Sequence, residues 1–211
     1  MQNIPFLDLH AQYLEIKADV DQAIASTISA SAYILGEKVS VFERDFAEWN
    51  QSRFCIGCAN GTDALEISLE ALGIGPSDEV IVPAMTWIST AEAVVRVGAV
   101  PVFADVDPLS YCIDVNAVSA LLTKRTKAII AVHLYGHPAS MIEIRQLCDD
   151  NGLYLIEDCA QAHGATFEGE KVGNFGHIGT FSFFPGKNLG AYGDAGCIVT
   201  GSGNLADICR Q

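Results

Sequence analysis

The sequence predicts an α/β fold, a mostly parallel mixed sheet of about seven strands with helices on both faces. Three observations predict it. Short runs rich in β-branched residues alternate with helical stretches, the pattern of strands joined by crossover helices. Several of these runs, VIV, AIIAV and LYLI, are apolar throughout, as strands covered on both faces are. The chain has 211 residues, 50% of them hydrophobic, which is enough to bury a sizeable core and is unlike a disordered composition.

From the beginning of the chain, the segment from Leu9 to about Trp49 has helical patterning in DVDQAIASTI and again in VSVFERDFAEW. Strands are expected at Phe54–Gly57, Glu79–Val82, Val100–Ala104 and Ala128–Val132. Three more are expected at Leu153–Ile156, Gly179–Phe183 and Cys197–Thr200. Between them ALEISLEALG, AEAVVRVG, NAVSALL and MIEIRQLCDDNG have helical periodicity. The first and last of these end near glycine, as helices often do. Asn204–Gln211 starts what reads as a helix and then stops, either a terminal helix or a piece of something longer. No repeat, low-complexity tract or linker interrupts the series, so one domain is expected over 1–211, with a helical segment over about 1–50.

A formal charge of −14 argues against a nucleic-acid partner, which would require a basic surface. Small anions remain possible ligands, because backbone N–H groups and one or two cations suffice to hold them. No apolar run approaches the roughly 20 residues that span a bilayer, and MQNIPFLDLH lacks the basic start and apolar core of a signal peptide. A cytoplasmic protein without membrane contact is expected. The seven cysteines are odd in number and scattered, which suggests reduced thiols. Cys55 and Cys58 form a C-x-x-C pair, open to a redox or half-zinc reading. With no second pair or histidine cluster at ligand spacing, a buried strand is preferred and no metal site is expected.

Three stretches carry candidate chemistry. In Cys58–Leu65 (CANGTDAL), Gly61 allows a tight turn between strand and helix, and Thr62 and Asp63 are natural cap residues. The free N–H groups of such a helix start attract an anion, although many α/β crossovers begin the same way. No G-x-G-x-x-G follows a predicted strand, which disfavours a nicotinamide-dependent enzyme. In Ile156–Ala165 (IEDCAQAHGA), Asp158 sits at the carboxyl end of a strand, where ligands bind in open α/β sheets. Its acid can hold a metal or a cationic nitrogen, or simply cap the next turn. In Gly179–Gly190 (GTFSFFPGKNLG), Lys187 follows an aromatic strand and a Pro-Gly pair. As an amine nucleophile it would need its pKa lowered by burial or a nearby cation; a solvated loop lysine is the alternative.

Together, in this order, the stretches are more specific than any one of them. The chain resembles the DegT/DnrJ/EryC1/StrS family of sugar aminotransferases. The likeness runs from IPFLDL through YILGEKVSVFE, NGTDAL, GIGPSDEVIVPAMTWISTA and VPVFADVD. It continues through TKAIIAVHLYG, LIEDCAQAHGA and FSFFPGKNLG to YGDAGCIVT. The resemblance implies the large domain of a type I pyridoxal-phosphate-dependent transferase, with pyridoxal 5′-phosphate as cofactor. It implies that Lys187 forms the Schiff base and that Asp158 pairs with the ring nitrogen. Gly61, Thr62 and Ser182 would hold the phosphate, Trp87 would stack on the ring and Gln161 would approach its hydroxyl. Each pairing makes physical sense: a pyridinium needs an anion, a phosphate needs donors and a flat ring needs a flat partner. Trp87 is otherwise a core residue, and His163 is either a neighbour of the cofactor or a packed core histidine.

The family's dehydratase branch has histidine at the lysine position, so Lys187 favours transamination. The implied partners are an amino-acid donor, glutamate in most of the family, and a keto sugar linked to a nucleotide diphosphate. IPFLDLHAQY and YILG look more like members acting on 3-keto than on 4-keto sugars. A homodimer with shared active sites is implied as well, and the family's small C-terminal domain is expected beyond these residues. A dehydratase and a catalytically idle regulatory homologue are the competing functions.

Overall fold

In the computed structural model, which describes residues 4–211, seven strands hydrogen-bond into one sheet in the order β1-β9-β8-β5-β4-β2-β3. They are β1 (Phe54–Cys58), β2 (Glu79–Pro83), β3 (Val100–Ala104), β4 (Thr126–Val132), β5 (Tyr154–Asp158), β8 (Ile178–Ser182) and β9 (Gly196–Thr200). The expected strands are all present, Val100–Ala104 with the expected bounds and the others with one or both ends shifted by at most two residues. Only β9 runs against its neighbours, pairing antiparallel with both β1 and β8, so the sheet is mostly parallel as expected.

Among the described residues seven α-helices accompany it: α1 (Leu9–Ala30), α2 (Glu37–Asn50), α3 (Gly61–Ala71), α4 (Ser89–Arg96), α5 (Val115–Leu121), α6 (Met141–Asn151) and α7 (Gly203–Cys209). The first three residues of the expected N-terminal helical segment lie outside the described residues.

The two-residue repeat of the strands divides the core between two layers. On one face Ile56, Val80, Val82, Ile130, Ile156 and Ile198 pack against Leu65 and Leu69 of α3, Val94 of α4 and Ala206 of α7. On the other, Ile81, Ile129 and Leu155 meet Val118 of α5 and Met141 and Ile144 of α6. That second face continues under α2, where Phe46 packs with Cys55, Phe181, Cys197 and Val199. Full burial of an aliphatic side chain such as Leu69 contributes about 1.5–3 kcal/mol, so a strand with side chains on both faces is held from both sides.

The same alternation separates Cys55 from Cys58. Three residues apart on β1, they face opposite layers, Cys55 toward α2 and Cys58 toward α3. All seven thiols are free.

One pair of strands was not expected. β6 (Thr166–Phe167) and β7 (Glu170–Lys171) form a small hairpin through Glu168 and Gly169, both at positive φ, the turn that suits two-residue hairpins. Helix α1 has no buried residue and departs from helical geometry at Ile16.

Candidate active site

Because β1, β2, β5 and β8 point the same way, their carboxyl ends lie along one edge. That edge gathers the start of α3 after β1, the Trp87 segment after β2, Asp158 ending β5 and Ser182 ending β8. This is where an open α/β sheet binds ligands.

Asn60 caps α3, its side chain accepting from the N–H of Asp63 at 2.9 Å. Thr62 and Asp63, expected as caps, instead sit inside the first turn, because Gly61 already has helical geometry. This releases Thr62 from capping, and its hydroxyl donates to Ser89 Oγ at 2.7 Å. Gly61 lies directly against Ser182: a Cβ on Gly61 would come 2.6 Å from Ser182 Cβ and 3.1 Å from its Oγ. The helix start and the serine therefore make one cradle, closed to anything larger than glycine.

Asp158 is buried at the end of β5. Its Oδ1 accepts from the N–H of Ala160 and its Oδ2 from the Thr90 hydroxyl, each at 3.1 Å. Burial raises its pKa, opposed by those two hydrogen bonds and by the charge of Lys187. Lys187 is half-buried in the loop after β8, and burial lowers its pKa while Asp158 pulls it back up. The two groups thus lie within each other's field.

The lysine loop is fastened at both ends. The N–H of Lys187 closes a turn on Phe184 O at 2.8 Å, and that of Ala191 returns to Phe183 O at 2.7 Å. A Cβ on Gly190 would stand 2.3 Å from Pro185 O, so this closure requires glycine.

Gln161 accepts the N–H of Tyr135 on Oε1 at 2.8 Å, which leaves its Nε2 hydrogens for an acceptor. Trp87 is 70% exposed, so it is not a core residue of this chain. His163 packs between Phe181 and Phe183, ring centroids 5.5 and 5.4 Å away, with neither nitrogen hydrogen-bonded among the described residues. Burial lowers its pKa to about 4.

Several contributors were not expected from the sequence. Thr90 and Ser89 hold Asp158 and Thr62, and their signal was the close run of hydroxyls in TWIST. Glu157 is fully buried and faces away from Asp158, accepting from Gly173 N (2.8 Å), Gly176 N (2.6 Å) and His133 Nε2 (3.0 Å). His133 Nδ1 in turn accepts from Ala139 N at 3.1 Å, so its Nε2 carries the proton. Cys159 lies close to this pair, but the histidine and carboxylate atoms are already committed to internal hydrogen bonds.

The cradle and donor set fit pyridoxal 5′-phosphate. Gly61 brings the start of α3 against Ser182 as no larger residue could, hydroxyls and N–H groups suit a phosphate, and a carboxylate and an amine lie within each other's field.

The sheet and its site edge place the chain in the type I class of pyridoxal-phosphate-dependent transferases. Within that class it belongs to the DegT/DnrJ/EryC1/StrS aminotransferase family, which it matches over residues 14–211. The family is pyridoxal-phosphate dependent.

It is 50% identical over 202 residues to a UDP-N-acetyl-3-dehydro-alpha-D-glucosamine 3-aminotransferase of Acidithiobacillus ferrooxidans, covering 96% of this chain and 55% of that one. It is 47% identical over 208 residues to a pleiotropic regulatory protein of Geobacillus stearothermophilus, covering 99% and 56%. Among solved structures, Streptomyces venezuelae DesV in complex with a ketimine intermediate superposes with a TM-score of 0.97 at 44% identity, over 100% of this chain and 57% of that one. Bacillus subtilis ntda with bound cofactor PMP gives 0.91 at 35% identity, over 99% and 47%. The chain therefore spans about half the length of the curated relatives it matches.

Proposed function

We propose that these residues are the cofactor-binding large domain of an aminotransferase that moves an amino group from glutamate to a keto sugar linked to a nucleotide diphosphate. The observation that carries the reading is Lys187, an amine with lowered pKa held within the field of a buried acid. Lysine rather than histidine at this position favours transamination over dehydration.

In this reading the start of α3, with Gly61 and Thr62, and Ser182 hold the phosphate. Asp158 holds a proton at the ring nitrogen, Gln161 directs Nε2 to the ring hydroxyl and Trp87 covers a ring face. When bound, pyridoxal 5′-phosphate supplies an electron-withdrawing ring that stabilises the charge left at the substrate carbon after proton loss. Lys187 Nζ would hold the cofactor at its aldehyde end, and as a free amine it would take the proton from the substrate carbon and return it. Its depressed pKa serves both tasks, since an amine must be unprotonated to attack and to accept a proton.

A 3-keto sugar is favoured over a 4-keto sugar, supported by the 3-dehydro substrate in the name of the A. ferrooxidans relative. A homodimer with shared sites and a small domain beyond residue 211 complete the proposal.

The test is conversion of nucleotide-linked 3-keto and 4-keto sugars to amino sugars by the full-length protein with glutamate. The likeness to a regulatory protein supports a second reading, in which the cofactor is bound but no donor is turned over. Failure of glutamate and other amino donors to convert the bound cofactor would decide for it.

A further inference from the structure

Thr90 makes the only side-chain hydrogen bond to Asp158 among the described residues. Thr90 is fully buried in the first turn of α4, and a threonine hydroxyl has a single proton to give. An ionised carboxylate can only accept, so that proton goes to Asp158 Oδ2 at 3.1 Å. Thr86 Oγ1, 2.9 Å from Thr90 Oγ1, is then the donor in its own contact. The result is a short chain, Thr86 to Thr90 to Asp158, in which each hydrogen bond polarises the next.

The second donor to the carboxylate comes from a different element, the N–H of Ala160 on Oδ1. With one donor on each oxygen, from α4 and from the turn after β5, the plane of the carboxylate is set before any ligand arrives. The preceding residue, Ser89, accepts the Thr62 hydroxyl at 2.7 Å. One helical turn thereby touches both the phosphate end and the acid end of the site.

We propose that Thr90 is a positioning residue that orients Asp158 and keeps the proton it shares with the ring nitrogen on the ring. The inference rests on the reading of Asp158 as the ring-nitrogen partner. A carboxylate that has lost a donor is the stronger base, so without the hydroxyl the shared proton moves from the ring toward the acid. The electron-withdrawing character of the ring falls with it. The other charged or titratable groups within the field of Asp158 are Lys187, from the loop after β8, His133, from the turn after β4, and the Cys159 thiol that follows it; none is hydrogen-bonded to Thr90 among the described residues.

The test is the ¹⁵N resonance of ring-labelled pyridoxal 5′-phosphate bound to the full-length protein, followed against pH, alongside single-turnover reaction with glutamate. Thr90→Val keeps the shape and removes the hydroxyl. It should shift the proton equilibrium away from the ring by about tenfold, the scale of losing a hydrogen bond to a charged group. The single-turnover rate should fall with it, and Thr90→Ser should restore both. Should Thr90→Val not fold, Thr86→Val removes the next hydroxyl of the chain and should give a smaller shift in the same direction.

An unchanged ring resonance in Thr90→Val, with only a lower melting temperature, overturns the proposal when Asp158→Asn does deprotonate the ring. A ring that stays protonated in Asp158→Asn removes the reading of Asp158 itself, and the role of Thr90 falls with it.

Discussion

Replacing Gly61 with alanine tests the cradle without touching a polar group. The added Cβ would lie 2.6 Å from Ser182 Cβ and 3.3 Å from its Cα. Neither is the free end of a flexible side chain, so α3 and β8 must move apart. Overpacking of this kind costs about 1–3 kcal/mol. Against it stands the gain from alanine over glycine in a helix, at most about 1 kcal/mol and less in a first turn. Gly61 is not at positive φ, so the backbone itself accepts alanine and the nearest objection comes from Ser182. The clash wins, leaving a net loss of about 1–2 kcal/mol and a melting temperature lower by roughly 3–6 °C.

Affinity for pyridoxal 5′-phosphate should fall as well, because the same displacement opens the phosphate site. The assay is thermal unfolding of the cofactor-free protein beside a cofactor titration. Adding Ser182→Gly, which removes the obstructing Cβ, should recover stability but not affinity. Adding Ser182→Ala, which keeps the Cβ, should recover neither. A Gly61→Ala protein that melts with the parent, or an equal rescue by Ser182→Ala, would refute the packing argument.

Lys187→Ala should abolish the covalent adduct trapped by borohydride, while weak cofactor binding through the phosphate site persists; an adduct mapped by mass spectrometry to Lys171 would contradict this. Burial raises the Asp158 pKa above its ordinary value of 3.8, so the native state holds this proton more tightly than the unfolded chain. Stability then falls as pH rises above that value, and the ionised group costs stability at neutral pH. Asp158→Asn should accordingly raise the melting temperature of the cofactor-free protein at pH 7, with the gain fading toward acid pH, while slowing single-turnover transfer. Glu157→Gln should do the opposite, losing about 1–3 kcal/mol because an amide cannot accept from all three of its donors. Burial pushes the Cys58 thiol up to about 12, so iodoacetamide should label it far more slowly in the native protein than in urea.

Much of the fold was legible in the sequence because burial on both faces leaves a local trace. Runs such as AIIAV have to be apolar at every position, and the structure places Ile129 and Ile130 in opposite layers for that reason. The glycines after α3 and α6 were legible for a similar cause: Gly73 and Gly152 adopt positive φ where those helices stop. The reversal of β9 was not. A strand's direction depends on which neighbours it pairs with, and Cys197–Thr200 reads the same either way. The β6–β7 hairpin has only two residues on each side, too few for a period to register.

At the site, what was legible was residue type at strand ends, and what was hidden was partnership across the fold. Glu157 and Asp158 are the sharpest case, since the sequence presents two adjacent acids with nothing to rank them by their own chemistry. The strand ranks them. Successive side chains on β5 point to opposite faces, so Glu157 is sent inward to fasten Gly173, Gly176 and His133. Asp158 is sent to the opposite face, within the field of Lys187. Glu157 is saturated by fixed internal donors, whereas each oxygen of Asp158 has one donor and capacity for another partner. A buried acid left short of partners is a cost to the fold, and a site keeps such a cost where a ligand supplies what is missing.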